Sequence, residues 1–356
     1  MRRRRVALAG LMVAAVLAGG CAAVEPARPS AQPSPAPYGT GPMIVAVSSD
    51  GVVVADPGSG SYRGYSSRGE LRWTDREAYR QDADAVCAAR CPDAVLSAPA
   101  GDVPTWRRPM GHAALGGAAG KRVLSVRGPS DAVLAESTPG KGGWLTLLRN
   151  GVKRTRIPIS SAVGLLWVED PARSAALIAY DDPDVAGADI RWFRRDRHGW
   201  RPTGRTAPAA GVWGACLADG GDLTVLTGPS ARMLVNGRTV PLRTDLRVAA
   251  ECAAGRDGAV VLDRWVDERG VRHTAVRGVG VDGRQIWARE LAAEATVSAD
   301  PDGRRFALVH DGTAEIVDAR GRTTSRFGGV VAAAFAGKGE LVTLDAGARP
   351  KRLKLG

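Results

Sequence analysis

Cysteine has the clearest chemical options in this chain of 356 residues, at Cys21, Cys87, Cys91, Cys216 and Cys252. A zinc site is not expected from them, because Cys87-x-x-x-Cys91 is a loose ligand spacing and no His lies near either downstream pair. Nucleophilic catalysis is equally poorly served. The chain has no Gly-x-Ser-x-Gly elbow, no Ser-x-x-Lys and no His-Glu-x-x-His. Gly116-Gly117-Ala118-Ala119-Gly120-Lys121-Arg122 has the glycines and lysine of a phosphate loop. Its first Gly is one residue too close to Gly120, however, and Arg122 stands where Ser or Thr must bind magnesium.

His112, His198, His273 and His310 are scattered along the chain, and His310, just before Asp311-Gly312, reads as a solvated loop residue. Asp181-Asp182-Pro183-Asp184 with nearby Asp189 is the densest acidic cluster. Pro183 interrupts it and no Glu closes the loop as calcium would require, so it reads as a solvated turn. The expectation is therefore no catalytic residue, no metal and no cofactor.

Aromatic chemistry is the remaining lead, with nine Trp against four Phe. Large indoles can fill gaps between sheets. A sharper use is suggested by Ile190-Arg191-Trp192-Phe193-Arg194-Arg195-Asp196-Arg197-His198-Gly199-Trp200, where aromatic and cationic side chains interleave around a turn. Trp192, Arg194, Arg195, Arg197 and Trp200 are accordingly the candidate partner-binding residues, since Trp and Arg anchor interfaces.

The elements that must carry these residues repeat. An apolar run, a polar turn with Asp and Gly, and a second apolar run recur, most clearly from Ala295 to Val309, where Asp300-Pro301-Asp302-Gly303 predicts a hairpin. Such turns lie roughly 40 residues apart, the period of a four-stranded propeller blade. Gly69-Glu70-Leu71-Arg72-Trp73 and Gly283-Arg284-Gln285-Ile286-Trp287 share a Gly-x-x-x-Trp ending. Here residues 43–356 resemble the WD40-like and PQQ-like β-propellers of bacteria in repeat grammar, although no unit carries a full signature of either. The resemblance implies an all-β propeller fold and little about function. Seven blades are expected, with Met43 to Ser48 completing the last sheet beside Val330 to Phe335, Glu340 to Leu344 and Arg352 to Leu355; eight is the alternative count. Cys216 and Cys252 precede the turns of consecutive repeats, and equivalent positions of adjacent blades are close in a propeller. They are therefore the expected disulfide, leaving Cys87 and Cys91 to pair locally. That local pair needs a bend at Arg90 to Pro92, since a straight strand would hold the two about 13 Å apart.

The N-terminus supplies an address. Arg2 to Arg5, the apolar run Val6 to Gly20 and Ala18-Gly19-Gly20-Cys21 resemble the signal peptide of a bacterial lipoprotein, with Leu17 one position further out than that family prefers. The resemblance implies residues 1–20 as signal peptide and Cys21 as the lipidated first residue of the mature chain. Residues 21–42, with Pro26, Pro29, Pro33, Pro35, Pro37 and Pro42, read as a semi-rigid tether before the domain at 43–356. The expected location is the extracytoplasmic face of the cell membrane, held by lipid. Four of the twelve net positive charges lie in Arg2 to Arg5, and the basic remainder fits phospholipid or an anionic wall polymer. Nucleic acid is not an expected partner in that compartment. A scaffold or sensor accessory binding an envelope protein or polymer is the leading expectation. The alternative is an extracellular glycan hydrolase or lyase, which would need convergent His, Asp, Glu or Arg at the propeller channel.

Overall fold

The computed structural model describes residues 41–47, 51–76, 85–86, 94–96, 105–108, 111–114, 122–128, 131–138, 142–149, 152–159, 164–169, 174–180, 189–196, 199–208, 210–212, 214–243, 246–292 and 294–356. Cys21, Cys87, Cys91, Arg197, His198 and the Asp181–Asp184 cluster lie outside them. These described residues form eight antiparallel sheets, here called blades 1 to 8, spanning 43–75, 85–114, 122–159, 164–208, 214–241, 249–291, 296–328 and 332–354. Seven have four strands and blade 8 has three. Strands follow one another across each blade in chain order, as short hairpin turns dictate. The first strand of each blade lies against the first strand of the next, and Ala332–Gly337 of blade 8 lies against Met43–Val47 of blade 1. The first strands thus close a ring, and the fold is a β-propeller.

The expected closure is corrected by this pairing. Met43–Val47 does not complete the last sheet; it pairs with Gly51–Asp56 in blade 1, with Met43 opposite Ala55 and Val47 opposite Val52. The short connection across 48–50 makes that hairpin the cheaper partner in loop entropy.

Second strands show why so apolar a repeat is needed. In Gly51–Asp56 and Leu223–Thr227 every residue is buried, because a blade is covered on both faces and strand alternation exposes neither. Fourth strands such as Gln285–Leu291 alternate in exposure at the rim. The Asp300–Gly303 turn closes as the sequence predicts, with Gly303 at φ 66° and Asp300 N–H donating to the Arg305 carbonyl at 2.8 Å. Gly-x-x-x-Trp also acquires a physical meaning. Gly69 and Gly283 take positive φ, and each Trp then lies directly across from a second glycine, Trp73 over Gly64 and Trp287 over Gly278, where any Cβ would enter the indole. Trp287 Nε1 donates to the Ala319 carbonyl of blade 7 at 3.2 Å, locking adjacent blades.

Candidate functional site

Cys216 and Cys252 form a disulfide between the first strands of blades 5 and 6, Gly214–Ala218 and Ala249–Gly255, with Cα atoms 5.9 Å apart. Mid-strand positions in the adjacent first strands of neighbouring blades supply that separation, which is within the usual range for a disulfide.

The Trp192 to Trp200 cluster is not an exposed aromatic surface, which corrects its reading from the sequence. Trp192 is 3% exposed and Trp200 4%. Asp189–Asp196 is an inner rung of blade 4, so Trp192 faces blade 5 while its neighbour Phe193 faces blade 3. Trp192 Nε1 donates to Thr224 Oγ1 at 3.0 Å, and the Arg205 guanidinium covers the ring at 4.6 Å. Trp200 and Phe193 both pack on Trp167, at centroid distances of 5.4 and 5.0 Å. Arg194 is exposed and Arg195 half-buried, but the indoles that should have anchored a partner beside them are core.

The first strands, which line the ring, carry mostly small or aliphatic side chains, as in Gly214–Ala218, Thr296–Ala299 and Ala332–Gly337. Glu169 accepts from Trp167 Nε1 at 2.8 Å. Glu251 accepts from Val297 N–H and from Arg264 Nη2, both at 3.2 Å. Burial pushes the Glu251 carboxyl above its usual range against the pull of those two partners. Among the described residues no group of three or more His, Cys, Asp or Glu is arranged to hold a metal.

Two buried carboxylates missed from the sequence organise blades 6 and 7. Asp263, fully buried, accepts from the backbone N–H of Arg247 and Val248 and pairs with Arg277 at 3.3 Å, fixing the chain where it enters blade 6. Glu315 of blade 7 meets Arg289 of blade 6, Arg326, Thr323 Oγ1 and the ring of His310. Burial acts to raise its carboxyl, but the Arg289 hydrogen bond and charge, with Thr323 and Arg326, outweigh it and hold the group below the usual value. His310, expected in a solvated loop, instead ends strand Arg305–His310 with its side chain 13% exposed. The available signal for the carboxylates was an acidic residue directly beside apolar ones within a strand, Leu262 before Asp263 and Ala314 and Ile316 around Glu315.

A surface Trp and Arg cluster does exist, in blade 6. The nine-residue strands Gly258–Val266 and Arg272–Gly280 meet at a turn built by Asp267, whose Oδ1 accepts from Arg269 and Val271 N–H at 2.9 Å. The half-buried Trp265 stacks on His273 at 5.1 Å and 9°, and the Arg247 guanidinium lies 5.1 Å from the Trp265 ring. His273 Nε2 lies 3.0 Å from Asp267 Oδ2, and this hydrogen bond leads the influences that lower the Asp267 carboxyl. Val266, which strand alternation sets on the opposite face of the hairpin from Trp265, and Val271 in the turn are 60% and 51% exposed. The arrangement offers apolar area with preordered aromatic and cationic groups, the chemistry of protein contact.

The fold sets the class of protein, a β-propeller, and comparison with solved structures agrees. The crystal structure of BamB from Moraxella catarrhalis is similar at TM-score 0.53 and 14% identity, over 88% of this chain and 96% of that one. The computationally designed Ika8 protein is similar at TM-score 0.52 and 11% identity, over 88% and 96%. At such identities the likeness concerns the fold alone. No family model and no curated protein matches the sequence.

Proposed function

We propose that this protein is a lipid-anchored, extracytoplasmic β-propeller that binds a protein of the cell envelope and serves as a scaffold without catalytic turnover. The observation that carries the reading is the blade 6 surface. An ordered Trp265, His273 and Arg247 stack lies on one face of the hairpin end, whose turn is fixed by its own hydrogen bonds, and Val266 and Val271 are exposed at that same end. Rigid aromatic and Arg groups beside exposed aliphatic area suit a partner that buries them. The anchor is Cys21, and the tether 21–42 holds the propeller off the membrane.

The test is in-cell crosslinking of the lipoprotein, parent against Val266→Glu with Trp265→Ala, followed by partner identification. A hot spot here predicts weaker capture by about 2 kcal/mol, near thirtyfold. Undiminished capture by the variant would remove blade 6 as the contact surface. Turnover of wall glycan by the purified protein would overturn the scaffold reading itself.

A further inference from the structure

Blade 6 ends in a two-stranded arm. Gly258–Val266 pairs with Ala249–Gly255 only as far as Asp263, and Arg272–Gly280 pairs with Gln285–Leu291 only from Thr274. The rungs Trp265 with His273 and Val266 with Arg272 therefore extend past both neighbouring strands. Strand alternation gives the arm two faces. Val261 packs with Val225 and Met233 of blade 5, whereas Leu262 packs with Phe306 and Leu308 of blade 7. Trp265, in phase with Val261, and His273 opposite it lie on the blade 5 side, where the connection out of blade 5 delivers Arg247. Val266 and Arg272 lie on the other side, and Arg272 is paired with Glu294 at 3.2 Å.

The charges on the blade 5 side do not balance. Asp267 is fully engaged, since Oδ1 accepts from the N–H groups of Arg269 and Val271 and Oδ2 holds His273. Glu268 and Arg269, both exposed in the turn, offset each other. Arg247 is exposed, and among the described residues its guanidinium meets the Trp265 ring and no carboxylate. Its backbone is nonetheless fixed, because the N–H groups of Arg247 and Val248 donate to the buried Asp263 at 3.1 and 2.8 Å. A guanidinium beside an indole keeps its fork of N–H donors for an acceptor, and that fork matches a carboxylate.

We infer that the blade 5 side of this arm receives an acidic segment of the partner protein, one carboxylate pairing with the Arg247 guanidinium while an adjacent apolar side chain covers the Trp265 ring. This rests on the protein-binding reading and names the chemistry that the partner presents. A second copy docking through the same patch would bring like charge to it, which is unfavourable. A phospholipid surface suits the arm less, because Asp267 and Glu268 stand at the tip that would have to enter the headgroups, with Val266 and Val271 as its exposed aliphatic area.

The probe is p-benzoyl-phenylalanine in place of Val271 in the full-length lipoprotein, photolysed in intact cells, with the crosslinked segment sequenced by mass spectrometry. That segment should carry Asp or Glu, and Arg247→Glu should lower its yield roughly tenfold or more. Changing the partner's acid to Lys should lower the yield with the parent and restore it with Arg247→Glu. Arg247 is exposed and keeps its backbone bonds to Asp263 in any variant, so melting should match the parent; if Arg247→Glu melts early, the neutral Arg247→Gln decides. No crosslink, a segment without an acid, or a yield indifferent to both variants overturns the inference. A crosslink to a second copy, or to lipid alone with Arg247-dependent binding of the Cys21→Ser chain to phosphatidylglycerol vesicles, assigns the arm to those occupants and overturns it too. Capture lost with Trp265→Ala and Val266→Glu but kept with Arg247→Glu refutes the carboxylate contact alone, whereas capture kept in both removes blade 6 as the contact surface.

Discussion

Truncating Trp192 to Ala separates an interface anchor from a blade filler. The indole is 3% exposed and packs among Ile178, Ile190, Leu217, Leu226 and Leu234 between blades 4 and 5. Removing a buried Trp costs about 3–5 kcal/mol, the spread reflecting how far the surroundings collapse. Two neighbours bear on that figure to different extents. Arg205 loses its ring at 4.6 Å, a further 0.5–1 kcal/mol or so, whereas Thr224 Oγ1 keeps the Gly221 carbonyl as a partner and adds little. A loss of about 4–5 kcal/mol corresponds to a fall in melting temperature of roughly 8–10 °C for a domain of this size. Thermal unfolding followed by far-ultraviolet circular dichroism measures it, with Arg194→Ala as the exposed control expected within about 0.5 kcal/mol of the parent. If Trp192→Ala melts within 2 °C or so of the parent and loses a partner instead, the indole is a surface anchor and the burial argument fails.

Replacing Cys216 and Cys252 by Ala opens a loop with a sequence separation of 36 residues, for which chain entropy predicts a loss of about 4 kcal/mol; equal melting of parent and variant would contradict it. Gly278→Ala places a methyl in the Trp287 ring and should destabilise by about 1–3 kcal/mol, whereas Gly312→Ala, with open space but positive φ, reports backbone strain alone. Glu315 has a carboxyl held below its usual 4.5, so its contribution is complete above that value and is lost as pH falls through the lower folded value. Glu315→Gln should therefore flatten the acid side of the stability profile, where Arg289, Arg326 and His310 face the group, and an unchanged slope would exclude it. Cys21→Ser should abolish lipid labelling and release the protein from membranes, and retained labelling would end the lipoprotein proposal.

The repeat, the hairpin turns and the Cys216 to Cys252 pairing were legible because each is local or periodic. Asp-Pro-Asp-Gly sets its own dihedrals, and matching positions in consecutive repeats become neighbours in any ring of blades. The blade that Met43–Val47 joins was not legible, since two apolar partners of similar pattern compete and only the length of the connection and the closed ring decide between them. Exposure of Trp192 and Trp200 was misread for a related reason. Interleaved Arg and Trp describe a surface when one face of a strand meets water, but a blade is covered on both faces, and consecutive Trp192 and Phe193 are buried against different neighbours. The sequence by itself determined an all-β repeating chain and where its turns fall, because turn geometry and strand period are properties of neighbouring residues. Which charges pair across blades and which indoles reach water were decided by tertiary structure, because burial and pairing depend on what the ring brings alongside.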